Sequence, residues 1–266
     1  MRVGDVLDRS FELLRREWRA AVLLGGVYVV GFVVLIGTYS VVFFRWVSEL
    51  GPLDAGSNPD PELLADSIVG AAGFVLAVVV FAVLMAFASL VLTGVSVRAA
   101  MHGPEEGTGW SELWGHLGPA TVAGLRLLGW GILVGLGVSV LFVIPFVFLG
   151  LVVGTGSGVD GDAGAAITVL FTLGFVFVVF AASVAVGPIL MAMTGLVYGR
   201  EAGVWRSIGD GYRLVRRAYW PSVGATVIVW LFSLVPLLGS VLVTVLMPPF
   251  QVALIERLEA AGGEIG

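Results

Sequence analysis

The sequence contains no cysteine and no lysine, and only 12% of its 266 residues are charged. Without cysteine, the chain can form no disulfide, no thiolate nucleophile and no cysteine-ligated metal site. Soluble globular domains carry about 25% charged residues, roughly twice the share in this chain. The scarcity of charge argues against an ordinary soluble enzyme, a disulfide scaffold and a disordered chain.

Most of the few charged residues are acidic. Acidic residues outnumber basic ones by 19 to 14, and the formal net charge is −5. Nucleic-acid binding needs a basic stripe that faces the phosphates, so we expect no nucleic acid among the partners. All basic residues are arginine, and glycine, alanine and valine are abundant. This composition is typical of a GC-rich prokaryote.

Long apolar runs dominate the chain, in which 58% of residues are hydrophobic. A helix of about 20 residues crosses the ~30 Å hydrocarbon core of a bilayer. We therefore predict an all-α fold, a polytopic integral membrane protein. Five blocks contain no Asp, Glu or Arg: about Ala20–Phe44, Ser67–Val97, Leu127–Val153, Ala163–Gly199 and Ala218–Ile255.

The last block is long enough for two crossings. Its 38 residues would form a rod about 57 Å long, nearly twice the hydrocarbon thickness. Pro236 and Gly239 lie at its middle, where proline removes a backbone donor and disfavours a continuous helix. We predict a hairpin of Tyr219–Val235 and Gly239–Ile255, which gives six transmembrane helices. A re-entrant segment is the alternative.

The arginines indicate the orientation. With six crossings, Arg45 lies alone on one side, and an excess of arginine marks the cytoplasmic side. We therefore expect a multi-pass protein of the cell membrane with both termini in the cytoplasm. Thirteen arginines share the other side: Arg2, Arg9, Arg15, Arg16, Arg19, Arg98, Arg126, Arg200, Arg206, Arg213, Arg216, Arg217 and Arg257.

An amphipathic segment recurs along the chain. Apolar residues spaced by three or four fall on one face of a helix. Two such stripes lie 201 residues apart: Val3, Leu7, Phe11, Leu14, Trp18 and Val204, Ile208, Tyr212, Val215, Tyr219. A weaker copy contains Trp110, Trp114 and Leu117. We predict a single membrane domain, 1–266, of three pseudo-repeats at about 1–100, 104–200 and 201–260, each an interfacial helix followed by a helical hairpin.

Paired arginines end two of these segments. Arg15 and Arg16 occupy the same place in the first copy as Arg216 and Arg217 in the third. Near an anionic leaflet, arginines on such a helix attract lipid headgroups. We predict that these four side chains face lipid and make no core contact. The alternative is that the stripes are ordinary helices packed under the bundle.

Prolines and small residues interrupt the apolar blocks. Pro145, Pro188 and Pro236 are predicted helix-break positions, because an internal proline frees a backbone carbonyl. A row of small residues favours close helix packing. We therefore expect a packed face at Gly131-x3-Gly135-x3-Ser139.

The sequence contains few candidate residues for catalysis or metal binding. The only two histidines, His102 and His116, are 14 residues apart and lack the helical spacing of metal ligands. We interpret them as loop and interface residues, and expect no metal, no cofactor and no catalytic residue.

Several motifs together resemble a known membrane family. Pro188, the segment Gly203-Val204-Trp205-Arg206-Ser207-Ile208 and the opening Val3-Gly4-Asp5-Val6-Leu7-Asp8-Arg9-Ser10-Phe11 carry the likeness, with Val143-Ile144-Pro145-Phe146. The chain resembles the six-helix membrane domain that accompanies some glycerophosphoryl diester phosphodiesterases, and is similar to uncharacterised prokaryotic multi-pass proteins. The resemblance implies architecture only, since the family's catalysis belongs to a separate soluble barrel.

These observations favour a non-enzymatic membrane module that acts through lipids or partner proteins. The expected partners are membrane lipids, with other membrane proteins or a second copy of the chain left open. The alternative is a transporter or channel for a small or amphipathic solute. Hydroxyl side chains that line a water-filled path would favour it: Thr38, Ser89, Thr93, Thr168, Thr172 and Ser183.

Overall fold

The computed structural model describes residues 1–49, 61–154, 161–232 and 238–263. These residues form helices and short connections, with no strand among them, so the all-α prediction is confirmed. The helices are α1 (Val3–Arg16), α2 (Trp18–Glu49), α3 (Pro61–His102), α4 (Trp110–Gly115), α5 (Leu117–Gly154), α6 (Gly161–Arg200), α7 (Val204–Arg217), α8 (Tyr219–Phe232) and α9 (Leu238–Gly263).

Five helices are long and apolar enough to cross a membrane, namely α2, α3, α5, α6 and α9. This finding is compatible with the predicted multi-pass membrane protein. Helix α8 is apolar but has only 14 residues, about 21 Å of helix. Helix α9 continues eight residues past the predicted end at Ile255 to Gly263. The predicted turn at Pro236 lies outside the described residues.

Three short helices are each followed at once by an apolar helix. A single residue separates α1 from α2, α4 from α5 and α7 from α8: Glu17, His116 and Ala218, respectively. Helices α1 and α7 each have 14 residues and begin 201 positions apart, at Val3 and Val204. In both, the last residues are paired arginines and the following residue turns the chain out of the helix.

The protein core lies at one end of the long helices. We call this part the basic end: α1, α4, α7, the connections 103–109 and 201–203, and the adjoining ends of the long helices. Helix α9 is at its centre and packs against α1, α2, α3, α6, α7 and α8. The largest fully buried side chains are all here, including Leu13, Leu24, Val95, Val197, Tyr198, Phe250, Leu254 and Leu258.

Glycines at the basic end allow helices to approach closely. A Cβ added to Gly94 of α3 would lie 2.6 Å from the ring of Tyr198, which is too close for any real contact. The Tyr198 hydroxyl in turn donates to the carbonyl of Leu90 at 2.7 Å. At Gly211 of α7, an added Cβ would lie 3.1 Å from the backbone nitrogen of Met193. These contacts hold α3 and α7 against α6.

The other half of the long helices exposes apolar side chains to the surroundings. Examples from four helices are Val30, Val33, Phe44, Leu76, Leu84, Leu133, Leu136, Leu170 and Phe177. The predicted packing face of α5 lies in this region, and the prediction is wrong for its described glycines. An added Cβ at Gly131 or Gly135 would meet nothing within 4 Å. Small residues permit close packing but supply no partner, and no helix approaches these two glycines in the part of the chain that the structure describes.

Candidate functional site at the basic end

Ion pairs connect helices at the basic end. Arg9 Nε lies 2.8 Å from Glu256 Oε2, which links α1 to α9. Hydrogen bonds to Glu256 and Glu12 raise the pKa of Arg9, and the Arg9 guanidinium lowers the pKa of the Glu12 carboxyl. Further pairs join Arg98 with Glu201 and Arg200 with Glu259. Partly exposed pairs of this kind each stabilise a fold by about 1 kcal/mol or less.

A buried carboxylate stands at the break between α1 and α2. The side chain of Glu17 is only 6% exposed. It accepts hydrogen bonds from Arg16 Nε and from the backbone nitrogen of Thr108, both at 3.1 Å. Arg19 donates to the carbonyl of the same Thr108 at 3.2 Å. Glu17 and Arg19 therefore hold both sides of one residue in the connection between α3 and α4.

Exposed aromatic side chains surround this end of the bundle. We call them the aromatic belt, and each is more than two-fifths exposed: Phe11, Trp18, Trp110, Trp114, Trp205, Tyr212 and Trp220. The belt includes five of the eight tryptophans in the chain. Tryptophan and tyrosine concentrate at membrane–water interfaces, where an amphipathic ring suits the headgroup region.

The predicted stripes of α1 and α7 are divided between core and surface. Phe11 and Trp18 are exposed, whereas Val3, Leu7 and Leu14 are half-buried against the core. The fully buried face of α1 is a neighbouring one, formed by Val6, Ser10 and Leu13. Both helices therefore pack on the bundle along one face and present aromatics along another.

The paired arginines have different surroundings. Arg15 and Arg216 are exposed, and so is Arg217, whose guanidinium lies beside Gly262 of α9. Arg16 is 21% exposed and donates to Glu17 and to the carbonyl of the buried Ala100. The expectation that all four side chains make no core contact is therefore wrong for Arg16, because its guanidinium reaches inward along α3.

The predicted helix-break prolines do not end their helices where the structure describes them. Helix α5 runs through Pro145, and α6 runs through Pro188. A helix tolerates an internal proline when its neighbours hold the flanking turns, and the turn after Pro188 is packed in the core. Pro236 lies outside the described residues. Pro248 and Pro249, which the sequence analysis did not single out, lie inside α9 next to buried Phe250.

The two histidines have separate roles in packing. His102 Nε2 donates to the carbonyl of Gly199 at 2.8 Å, which ties the end of α3 to the end of α6. His116 forms the break between α4 and α5, where partial burial and then the charge of Arg98 lower its pKa. Among the described residues, no group of three or more potential ligands is placed to hold a metal ion.

Comparison with known proteins gives no further guide to this end of the bundle. No protein-family model matches the chain, and neither a curated protein nor a solved structure matches it. The resemblance to the phosphodiesterase-associated membrane domain thus stays a prediction.

Proposed function

We propose that the chain is a non-enzymatic membrane module of the cell membrane that acts through lipids or partner proteins. The observation that carries this proposal is the aromatic belt. It lies at the end of the bundle where the described helices are most densely packed and where most of the described charges gather. A belt of this kind fits the headgroup layer, and the exposed apolar helices beyond it fit hydrocarbon.

The proposed topology has six crossings, three pseudo-repeats and both termini in the cytoplasm. The matching lengths of α1 and α7, with their single-residue breaks at Glu17 and Ala218, support the repeats. The break at His116 supports the middle unit. The basic end would then lie on the cytoplasmic side, in line with the positive-inside rule.

Single cysteines test this topology cleanly, because the native chain has none. Cysteines at Asp54, Asp160 and Gly239 should react with an impermeant thiol reagent from outside. Cysteines at Gly107 or Gly263 should react only after the cells are opened. Labelling of Gly263 from outside would mean an odd number of crossings and would contradict the proposal.

Lipid contact at the basic end is proposed for the exposed arginines. An arginine near an anionic leaflet is attracted by about 1 kcal/mol. Arg15, Arg216 and Arg217 are exposed and can make this contact. Arg16 is used mainly within the protein, since it binds Glu17 and Ala100.

Hydrogen exchange of α1 and α7 in anionic and neutral nanodiscs tests the lipid contact. The native protein should be better protected over residues 3–18 and 204–219 in anionic nanodiscs. Replacing Arg15, Arg216 and Arg217 by glutamine should remove this difference, whereas Arg16→Gln should weaken protection in both lipids alike. Equal protection of the native helices in both lipids would show that protein packing alone holds them.

A transporter or channel remains the alternative function. Of the hydroxyl positions expected to line a water-filled path, Thr38 and Ser183 are exposed, and Ser89 and Thr93 are half-buried. The side chains of Thr168 and Thr172 lie outside the described part of the chain. Uptake of a small solute by vesicles that contain only this protein would favour the transporter.

A further inference from the structure

A groove at the basic end contains an arginine that the fold does not use. It lies between the start of α5 and the connection after α6, and its volume is about 340 Å³. Its lining residues are Gly118, Pro119, Val122, Ala123, Arg126 and Glu201. Arg126 is exposed and has no ion-pair partner among the described residues. An arginine near the end of an apolar helix extends its guanidinium to the interface, where an anion can pair with it.

The lining of the groove also includes a carboxylate. Glu201 Oε1 lies 2.9 Å from Arg98 NH1, and the Glu201 side chain is 62% exposed. Arg98 also donates to the carbonyl of Tyr198, and its side chain is only 13% exposed. One oxygen of Glu201 thus binds the largely buried Arg98, and the Glu201 side chain, which lines the groove, stays mostly exposed. The groove therefore offers a positive group and a negative group to the same ligand.

The backbone fixes Glu201 in this place. Its φ is 53°, in the left-handed region, and it is the only described non-glycine residue with a positive φ. Helices commonly end with a left-handed residue, and that residue is usually glycine because a side chain there costs about 1 kcal/mol. For the stability of the backbone alone, glutamate at this position is less favourable than glycine. Its carboxylate is the feature that glycine would lack.

The helix face that holds Arg126 continues as an apolar surface. Val122, Gly129, Leu133, Leu136 and Val140 follow at spacings of three or four around Arg126, and all are exposed. The distance along α5 from Arg126 to Val140 is about 21 Å, more than half the thickness of the hydrocarbon core. A charged groove that opens on such a stripe suits a molecule with a polar head and a long apolar tail.

We propose that this groove binds a phospholipid whose headgroup carries a primary ammonium group, such as phosphatidylethanolamine. The phosphodiester pairs with Arg126, the ammonium donates to Glu201, and an acyl chain lies along the exposed face of α5. A choline headgroup has no N–H to donate, so it loses the charge-assisted hydrogen bond to Glu201. This proposal rests on the membrane placement described above.

Native mass spectrometry of protein from nanodiscs tests the site. The nanodiscs contain equal amounts of phosphatidylethanolamine, phosphatidylcholine and phosphatidylglycerol. We expect the native protein to retain phosphatidylethanolamine about tenfold over phosphatidylcholine. Arg126→Gln should lose retention of all three phospholipids, and Glu201→Gln should lose only the preference for the ammonium headgroup. Arg206→Gln, at an exposed arginine of α7, is the matched control and should behave like the native protein.

A second variant separates binding from folding. Glu201→Gly suits the left-handed backbone, which offsets part of the loss of the Arg98 ion pair, and it abolishes the ammonium preference. Its stability relative to Glu201→Gln separates the backbone effect from the loss of the carboxylate. Soluble glycerophosphoethanolamine, which has the same head but no tail, should not displace the bound lipid. Displacement would assign the groove to a soluble phosphodiester and overturn the lipid proposal.

The outcomes keep the two proposals apart. If native protein and Arg126→Gln both enter nanodiscs but retain the same phospholipids, the headgroup site is wrong and the membrane placement stands. If the native protein does not enter nanodiscs, the proposed function itself fails.

Discussion

Leu254 in α9 and Leu133 in α5 are the same side chain in two different surroundings. Leu254 is completely buried by neighbouring helices at the basic end, whereas Leu133 is 67% exposed. The same contrast separates buried Phe250 from exposed Phe177. Both leucines lie in apolar helices, so composition alone does not tell them apart. Their difference shows that the basic end is the densely packed part of the chain. In the other half, helices still touch at points such as Gly31 and Met85, but many apolar side chains face outward.

The exposed half requires an apolar medium. Soluble monomers rarely expose contiguous apolar patches beyond a few hundred Å². Here apolar side chains project from α2, α3, α5 and α6 over several turns. Under the proposed placement, acyl chains cover this half, and the packed half with its ion pairs lies toward the headgroups. The packed half then sets the fold, and the exposed half sets the contact with lipid.

Replacing Leu254 or Leu133 by alanine should give the largest difference in the free energy of unfolding. Leu254→Ala should lower the free energy of unfolding by about 2–5 kcal/mol, because it leaves a cavity in the core. Leu133→Ala should change it by less than about 1 kcal/mol, because lipid or detergent fills the space. Unfolding in mixed micelles measures both. Equal losses would mean that the exposed half is packed within the protein.

Removal of the buried carboxylate should give the next largest effect. Glu17→Leu leaves Arg16 Nε and the Thr108 N–H without their acceptor. Losing one partner of a buried pair costs about 3 kcal/mol. Asp8→Asn, at an exposed acid of the preceding helix α1, is the control and should change stability by less than about 0.5 kcal/mol. A Glu17 variant as stable as this control would show that the cluster does not hold the connection.

Two glycine-to-alanine substitutions, one in each half, should change the free energy of unfolding in opposite directions. Gly94→Ala drives a methyl group into the ring of Tyr198, and overpacking of this kind costs about 1–3 kcal/mol. Gly37→Ala meets nothing within 4 Å, so the better helix propensity of alanine should raise stability by up to about 1 kcal/mol. Thermal unfolding of the two variants decides this. A loss at Gly37 would reveal a packing partner for the exposed half.

The smallest predicted effect is a change in how the stability of the protein depends on pH. The folded protein lowers the pKa of His116, so folding favours the neutral imidazole. The stabilisation is present above the unfolded pKa of about 6.5 and is lost as the pH falls through the folded value. His116→Gln should therefore flatten the decline in stability between pH 7 and pH 5. An unchanged decline in this variant would place the titrating group elsewhere.

The long apolar helices were predictable from the sequence because composition alone indicates them. The block Ala20–Phe44 lies inside α2, and the stripe that begins at Val3 marks α1. The packed face was not predictable, because a helix that is apolar all round carries no periodic signal. Gly131 and Gly94 look alike in the sequence, yet only Gly94 has a neighbour that requires it.

The candidate site was predictable in part. Spacing along the sequence identified the paired arginines and the aromatics of the stripes. It did not predict that the Arg16 side chain turns inward. Glu17 gives no local signal, because Thr108, whose N–H it accepts, is 91 residues away. An acid at the end of an amphipathic helix normally lies on the solvated face, and only tertiary contacts bury it.

Spin-label accessibility along α5 tests the central claim most directly. Single cysteines at Leu133, Leu136 and Val140 of the reconstituted protein carry the label, and Gly115 at the basic end is the reference. We predict that oxygen, which enters hydrocarbon, relaxes the labels at Leu133, Leu136 and Val140, and that a water-soluble nickel complex relaxes only the label at Gly115. Relaxation of the Leu133 label by the nickel complex, or by neither reagent, would contradict the claim that lipid covers the exposed half.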